Sequence, residues 1–388
     1  QRQMCIRDRD NANEVLSAYG RLVRASIDAQ LCDTDNTFNN TVGIQLTKNK
    51  LLVWLNEPST LILNVELKNK LEQIISSVLY PAFVVKHKPG LTLIPRLEQP
   101  PESARALAFE LHFGVYDRLK VNGLDDINVY YNGQKLAIAL MRDYYWIPSM
   151  SPHMAVQSIT RGGKTTFLRY LAVNCSGYAK LAVKNGAVNN GANPLVVIDP
   201  KLDADLRLTA LKLNSVYICP DFAKSDSSFI DSVCQQLKGI VDLMQKRAIQ
   251  KKKQSDIKFK DVFVFLDEGI SIPVMGNTNT KNIYFRLLDR ILLMGASFQI
   301  HLIMFSQSFL SGSQGALSSQ GRLEFGTKIL LASRINTENA QFLFKELDKD
   351  SINNLILDED EFGGLGVGII TNGDNIVPFK APFVGGLR

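Results

Sequence analysis

The sequence predicts an α/β fold with a mostly parallel sheet covered by helices, and a smaller N-terminal α/β accessory domain. From about residue 136 onward, short and almost uninterrupted apolar runs alternate with stretches of helical character. Strands that are apolar on both faces are typical of a parallel sheet enclosed between helices. Polar and glycine-rich segments directly follow these runs, at the strand ends where open α/β sheets bind ligands. A chain of 388 residues also has the length for two or three domains.

The N-terminal part divides into a segment that is predicted not to belong to the fold and a small domain. Residues 1–9 resemble a translated sequencing-adapter read-through and are predicted to be an artefact. Residues 10–135 form the predicted accessory domain, whose chemistry cannot be inferred from its residues. Apolar spacing predicts strands and helices in it, namely strands at Leu51–Leu55, Thr60–Val65 and Phe83–His87 and helices at Glu66–Val78 and Pro101–Asp117.

Six apolar runs are predicted to build the sheet of the larger domain, residues 136–388. They are Met154–Val156, Leu195–Ile198, Val262–Leu266, Ile300–Phe305, Ile329–Ala332 and Val367–Ile370. Polar residues follow four of these runs, and we expect them to converge on one edge of the sheet. These polar segments are 158–165, Asp199-Pro-Lys201, Asp267-Glu268 and Ser306-Gln307.

The first polar segment has the composition of a phosphate-binding loop between a strand and a helix. In such a loop, backbone N–H groups wrap a polyphosphate, the lysine reaches the terminal phosphates and the next hydroxyl holds Mg²⁺. Ser158 stands where the usual pattern has glycine, so the turn must either relax or tolerate strain there. The alternative is a glycine-rich turn with a solvated lysine. The predicted nucleotide-binding residues are Ser158, Ile159, Thr160, Arg161, Gly162, Gly163, Lys164, Thr165 and Thr166.

The third polar segment supplies two adjacent carboxylates at the end of the most apolar run. Asp267 is predicted to hold the metal together with Thr165. Glu268 is predicted to orient or deprotonate the attacking water, because in-line hydrolysis needs a base near the terminal phosphate. An ordinary solvated turn is the alternative interpretation of the acidic pair. The loop and the two carboxylates together predict hydrolysis of a nucleoside triphosphate.

The order of the motifs resembles a known family. The first three motifs, from the N-terminus, are Pro152–Val156 before the loop, Ile198–Lys201, and the acidic strand end. The next is Ile300-His-Leu with Ser306-Gln307, and the last is the glycine-rich tail Phe362–Gly368 before Pro378–Val384. This series is similar to the FtsK/SpoIIIE DNA translocases, and most similar to the TcpA-type conjugative coupling proteins of Gram-positive mobile elements. The likeness covers about residues 136–388.

The resemblance implies a RecA-like P-loop ATPase that uses ATP and Mg²⁺. It further implies a ring of identical subunits, with a hexamer expected, that pumps double-stranded DNA through its centre. A relaxase and a membrane transfer channel are the partners implied for conjugation. The expected location of the motor domain is the cytoplasm, because the cysteine pattern fits a reducing compartment. The given sequence contains no run of eighteen apolar residues, so a membrane tether is expected only through a segment that precedes residue 10.

Two further residues are predicted to complete the catalytic site. Gln307 is a candidate sensor of the terminal phosphate, with a polar strand-end cap as the alternative. Ring motors usually complete the site with an arginine from the neighbouring subunit. Arg322 is the first candidate for this role and Arg334 the second. An ordinary solvated or ion-paired arginine is the alternative for both.

A basic stretch directly before the acidic strand is the predicted DNA-binding surface. Phosphate neutralisation by such a stretch gives affinity that is independent of DNA sequence and sensitive to salt. A solvated helix end and loop is the alternative interpretation. The predicted DNA-binding residues are Lys246, Arg247, Lys251, Lys252, Lys253, Lys258 and Lys260, with Lys281 from the polar loop after the acidic strand.

Composition excludes several other functions. The five cysteines form no Cys-x-x-Cys pair and the four histidines are scattered, which argues against a structural zinc site or a disulfide framework. Two alternatives to a DNA motor remain open. One is a related ring ATPase with another cargo, and the other is a scaffold that binds nucleotide without hydrolysing it.

Overall fold

The computed structural model divides into two compact units. The first comprises Gln1–Tyr116, Glu346–Ile356 and Asp374–Val377, and the second Asp117–Lys345, Leu357–Gly373 and Pro378–Arg388. The predicted boundary between residues 135 and 136 stays a prediction. The structure describes residues 2–31, 42–56, 62–101, 103–221, 223, 225–309, 317–335, 340, 343–344, 355, 357, 362–373 and 375–386.

The first unit is an antiparallel sheet with two helices. The helices are α1 (Arg2–Leu31) and α2 (Val65–Leu79), and the strands are β1 (Val42–Leu46), β2 (Lys50–Leu55), β3 (Phe83–Val85), β4 (Leu93–Pro95) and β5 (Arg105–Phe113). The sheet order is β1-β2-β5-β3, with β4 also paired to β5. Apolar residues of both helices and of the sheet share one buried cluster, which includes Ile27, Ile75 and Phe109. The predicted strand at Leu51–Leu55 and the predicted helix at Glu66–Val78 are confirmed.

Two of the secondary-structure predictions for this region are wrong. The segment from Pro101 to Asp117 contains strand β5 instead of a helix. Leu107, Phe109 and Leu111 are buried at alternate positions, next to the small buried Ala106, and this two-residue period fits a strand with one face on a core. Val65 begins α2 instead of ending a strand, because the Asn64 side chain accepts a hydrogen bond from the Leu67 N–H at 2.8 Å and caps the helix. Thr60, the other end of that predicted strand, lies outside the described residues.

The chain then forms a larger set of elements around an eight-stranded sheet. The strands are β6 (Lys120–Val121), β7 (Val129–Asn132), β8 (Lys135–Met141), β9 (Tyr144–Trp146), β10 (Met154–Ser158), β11 (Leu195–Ile198), β12 (Val216–Ile218), β13 (Val262–Leu266), β14 (Ile300–Ser306), β15 (Thr327–Leu331), β16 (Val367–Asn372), β17 (Ile376–Lys380) and β18 (Phe383–Val384). The helices are α3 (Lys164–Lys184), α4 (Ala204–Lys212), α5 (Asp226–Lys253), α6 (Thr278–Met294) and α7 (Ser319–Leu323), with 3₁₀ turns at Ile272–Met275 and Gly295–Phe298.

The predicted α/β class is confirmed, and the sheet itself is mixed. Its strand order is β12-β11-β13-β14-β10-β15-β16-β17. The first six strands in this order, from β12 through β15, are all parallel to their neighbours, whereas β15 and β16 pair antiparallel. All six predicted apolar runs are strands of this sheet. An apolar run does not encode the direction of its strand, so the reversal at β16 was not predictable from the pattern.

This topology brings the carboxyl ends of β10, β11, β13 and β14 to one edge of the sheet. The strands are buried throughout, as β13 illustrates with Val262–Leu266 fully enclosed. Polar side chains that follow these strands are therefore the ones that can meet at the sheet edge. Within the described ranges, none of the helices combines the length and the apolar character needed to cross a bilayer.

A buried histidine predicts that the stability of the second unit depends on pH. His153 lies directly before β10, and its Nδ1 accepts a hydrogen bond from the Leu302 N–H at 3.0 Å. Burial and the neighbouring His301 lower the pKa of His153 to about 3. In the unfolded chain, the pKa of a histidine is about 6.5. The folded state binds the proton less well than the unfolded state. The contribution of neutral His153 to stability is therefore complete above the pKa of the unfolded chain, and it is lost as pH falls toward the pKa of the folded state.

We expect the second unit to lose about 2 kcal/mol of unfolding free energy through this group between roughly pH 7.5 and pH 5. The measurement is urea unfolding followed by the fluorescence of the buried Trp146, in a Trp54→Phe background. His153→Asn keeps an acceptor for the Leu302 N–H but does not titrate, so its stability should depend less on pH. Identical pH slopes for the two proteins would contradict the prediction.

Candidate nucleotide-binding site

The predicted phosphate-binding loop connects β10 to α3. Ser158 is the last residue of β10 and stays in the parallel ladder opposite Leu331. The left-handed backbone conformations occur further along, at Arg161 with φ 65° and Gly163 with φ 87°. The serine at the usual glycine position therefore continues the strand, and the turn is made by the residues that follow. A Cβ atom at position 162 would lie 2.5 Å from Ser158 Oγ, which is too close for a side chain. With serine at position 158, the loop therefore has room for glycine at position 162.

The loop ends at the N-terminus of a long helix. Gly163 is the N-cap of α3 and provides no side chain to cap it. The first regular bond of the helix runs from the Phe167 N–H to the Gly163 carbonyl at 3.1 Å. N–H groups in the first turn of a helix have no acceptor within the helix, and the helix dipole adds partial positive charge there. The loop therefore has the local structure that binds phosphate in other proteins.

Lys164 joins the loop to the acidic strand end. Its Nζ lies 2.7 Å from Asp267 Oδ1 and 2.5 Å from Glu268 Oε1. The two carboxylates follow β13, which is separated from β10 only by β14 in the sheet. The side chains of the two acids are 8% and 6% exposed, so the charges are largely withdrawn from water. Residues that are a hundred positions apart in the sequence thus form one compact charged cluster.

The cluster shifts the titration of each of its members. Burial alone would lower the pKa of Lys164, but the Asp267 and Glu268 carboxylates outweigh burial and raise it. Burial raises the pKa of Asp267, and Lys164 offsets this only in part. Burial would also raise the pKa of Glu268, yet the hydrogen bonds from Lys164 and Lys201 lower it below its usual range. Glu268 is therefore ionised at neutral pH.

Glu268 receives two more contacts that the motifs did not predict. Lys201 Nζ lies 2.7 Å from Glu268 Oε1, and the Gln307 backbone N–H donates to Glu268 Oε2 at 3.3 Å. Both contacts come from strand ends that were predicted to converge. The Asp-Pro-Lys signal in the sequence identified Lys201 as a motif residue, but nothing in its spacing predicted the ion pair with Glu268.

A second glycine-rich segment lies against the loop. A Cβ atom on Gly163 would lie 3.5 Å from the Cα of Gly366, which has φ 69°. Arg118 holds this segment by donating to the Leu365 and Ala381 carbonyls, both at 2.7 Å. The glycine-rich tail was recognised as a motif, but its contact with the phosphate-binding loop is visible only in the folded chain.

The remaining predicted catalytic residues lie outside the charged cluster. The Gln307 side chain is exposed, and only its backbone N–H contacts Glu268. Arg322 is half-buried on α7, where its Nη2 lies 3.4 Å from Ser319 Oγ. Arg334 is exposed after β15. The roles of the three residues toward a terminal phosphate stay predictions.

The residues at the sheet edge fit ATP with Mg²⁺. The helix N-terminus and Lys164 suit a polyphosphate, and the hydroxyl of Thr165 with the Asp267 carboxylate are oxygen ligands of the kind that Mg²⁺ prefers. Thr165 and Thr166 are half-buried in the first turn of α3. Ile159, Thr160 and Arg161 form the exposed part of the loop.

The predicted DNA-binding residues divide into an exposed group and a buried one. Lys246, Lys252, Lys253 and Lys258 are exposed at the end of α5 and in the loop after it. Lys251, Lys260 and Lys281 are half-buried, and Lys251 Nζ donates to the Ser297 carbonyl at 2.8 Å. The four exposed lysines are accessible to a phosphate backbone from solvent.

Arg247 corrects the predicted DNA-binding set. Its side chain is fully buried, and its guanidinium donates to the Phe298 carbonyl and, at 2.8 Å, to the Lys260 carbonyl. It also lies 5.0 Å from the centre of the Phe259 ring. Burial lowers the pKa of Arg247 to about 10, which Asp261 opposes, so the guanidinium stays charged at neutral pH. Arg247 therefore holds α5 against the segments that flank β13 and β14 and does not face solvent.

A half-buried lysine at the N-terminus of a helix, in contact with two strand-end carboxylates, is the arrangement of a phosphate-binding loop with its acidic partner strand. No protein-family model matches the chain, and a comparison with curated proteins finds no match.

Among solved structures, the chain is similar to the pCW3 conjugation coupling protein TcpA in its monomer form with ATPγS, at 13% identity and a TM-score of 0.48 over 95% of each chain. It is also similar to ATPases 2 and 3 of EssC from Geobacillus thermodenitrificans, at 16% identity and a TM-score of 0.45, over 71% of this chain and 48% of that one. A third is the cytoplasmic domain of the type VII secretion ATPase EccC from Thermomonospora curvata, at 14% identity and a TM-score of 0.46, over 70% of this chain and 33% of that one. TcpA and the FtsK/SpoIIIE-like ATPases EssC and EccC belong to the group that the ordered motifs resemble.

Proposed function

We propose that this chain is an ATP-hydrolysing motor of the FtsK/SpoIIIE type, built on a RecA-like domain, that moves double-stranded DNA during conjugative transfer. One observation carries the ATPase part of the proposal: Lys164, at the start of α3, contacts both Asp267 and Glu268 at the end of β13. The first six strands of the sheet order, from β12 through β15, pair in parallel, and this supports the RecA-like domain.

Each residue of the cluster has a distinct task in this proposal. Lys164 contacts the terminal phosphates of ATP, and Thr165 and Asp267 hold Mg²⁺. Mg²⁺ held by these two residues would supply positive charge that offsets the charge developing on the phosphate oxygens during hydrolysis. Glu268, ionised at neutral pH, accepts a proton from the attacking water or orients it. Arg322 of a neighbouring subunit completes the site if the chain assembles into the expected hexameric ring.

The DNA part of the proposal rests on the exposed lysines after α5. Lys246, Lys252, Lys253 and Lys258 present four positive charges within thirteen residues of chain, and any DNA sequence offers them the same phosphate backbone. A relaxase, a membrane transfer channel and a cytoplasmic location complete the proposal for a conjugative coupling protein.

The test is steady-state ATP hydrolysis with and without long double-stranded DNA. Turnover that rises with DNA length supports a DNA motor. Turnover that is indifferent to DNA overturns the DNA part and favours a ring ATPase with another cargo. ATP binding without turnover, in protein that sizing shows to be assembled, overturns the ATPase part and favours a scaffold.

The exposed lysines give a quantitative prediction for DNA binding. Replacing Lys246, Lys252, Lys253 and Lys258 with alanine should weaken binding and reduce the slope of log affinity against log salt by ~0.9 for each lost phosphate contact. Fluorescence anisotropy of labelled duplex DNA at several salt concentrations measures the slope. The control for net charge removes four exposed lysines outside this stretch, namely Lys48, Lys70, Lys180 and Lys212, also by replacement with alanine. An unchanged slope in the fourfold variant would contradict the prediction.

A further inference from the structure

We propose that Lys201 is a positioning residue for Glu268, holding the carboxylate by an ion pair in the orientation that water activation requires. The inference rests on the proposed ATPase function and adds a residue to it. Its basis is the contact between Lys201 Nζ and Glu268 Oε1 at 2.7 Å. Lys201 reaches Glu268 from the end of β11, the strand that pairs directly with β13.

The contact is built into the loop after β11. Asp199 is fully buried, and its Oδ1 accepts a hydrogen bond from the Lys201 N–H at 2.8 Å. Its Oδ2 accepts from the Asp203 N–H at 2.7 Å and from the Tyr217 hydroxyl at 2.8 Å. Asp199 therefore fixes the backbone on both sides of Leu202, which has φ 55°. A loop that is anchored by one buried carboxylate holds the root of the Lys201 side chain in a defined place.

The other contacts of Glu268 show why one more cation matters. Glu268 itself has a positive φ of 48°, and its Oε2 is reached by the Gln307 N–H at 3.3 Å. Its Oε1 faces two ammonium groups, those of Lys164 and Lys201. Lys164 is also the residue that the terminal phosphates of ATP would contact. Lys201 is then the cation that stays with Glu268 and keeps the carboxylate oriented.

Lys201 differs from Lys164 in exposure. The Lys201 side chain is 48% exposed and the Lys164 side chain 14% exposed. The inner lysine serves the phosphate-binding loop, and the outer lysine approaches Glu268 from the solvent side. The ion pair can thus be removed by substitution without opening a cavity in the sheet.

The experiment compares wild-type protein with Lys201→Ala and Lys201→Arg in steady-state ATP hydrolysis. We expect Lys201→Ala to lower kcat by about 10- to 100-fold, because misplacing a catalytic group costs this much, while KM for ATP changes little. Lys201→Arg keeps the cation and should restore part of kcat.

The outcomes separate this inference from the function it rests on. A wild-type protein that does not hydrolyse ATP overturns the proposed function and the role of Lys201 with it. An active wild type together with an unchanged kcat in Lys201→Ala overturns the role of Lys201 alone. A raised KM with unchanged kcat also overturns it, because Lys201 would then bind the nucleotide instead of positioning Glu268. Lys212→Ala, an exposed lysine on α4, is the charge-matched control, and thermal unfolding checks that each variant is folded.

Discussion

Glu268→Gln should lower ATP turnover by about 10²- to 10⁴-fold while ATP binding is retained. The amide has the size of the carboxylate but cannot accept a proton from water, and general-base catalysis contributes a factor of this order. Lys164 keeps Asp267 as a partner, so the charged cluster loses one acid without leaving Lys164 unpaired. The measurements are steady-state hydrolysis and the affinity for a fluorescent ATP analogue.

A surface variant distinguishes catalysis from a general effect of the substitution. Glu66→Gln makes the same chemical change at an exposed position in the first turn of α2, and it should leave turnover unchanged. Wild-type turnover in Glu268→Gln would show that another group activates the water. Loss of ATP binding together with turnover would assign Glu268 to the structure of the site instead of to the reaction.

Arg247→Ala should lower the unfolding free energy of the second unit by at least about 3 kcal/mol. Truncating a buried guanidinium leaves its carbonyl partners without donors and opens a cavity beside Phe259. Arg247→Lys should recover only part of the loss, because one ammonium group cannot replace the planar fork that reaches several carbonyls. Urea unfolding followed by Trp146 fluorescence, in the Trp54→Phe background, measures the difference.

The neighbouring lysine is a matched control for this prediction. Lys246 is exposed on the same helix, and Lys246→Ala should change stability by no more than about 0.5 kcal/mol. DNA affinity should show the opposite pattern. Lys246→Ala should weaken DNA binding, whereas Arg247→Ala should lower it only in proportion to the loss of folded protein. A stable Arg247→Ala protein with weakened DNA binding would place Arg247 at the DNA surface after all.

The comparison of Lys246 with Arg247 also shows where sequence-based prediction fails. The basic stretch predicts a charged surface, but a charge count cannot tell which side of α5 faces the sheet. Arg247 lies on the buried side because carbonyl groups at the ends of a 3₁₀ turn and of the segment before β13 need donors. The same limitation applies to Pro101–Asp117, where Leu107, Phe109 and Leu111 also fit a strand, and pairing with β2, β3 and β4 decided between the two periods.

What the sequence determined by itself is the set of buried strands and the residues at their ends. Runs such as Val262–Leu266 are apolar on both faces, which is typical of enclosed strands, and this pattern predicted that Asp267 and Glu268 lie at a sheet edge. The tertiary structure alone decided the strand order, the antiparallel entry of β16 and the contacts of Lys201 and Gly366 with the site. These depend on which strands become neighbours and on close approaches between distant segments, and local residue patterns carry no information about either.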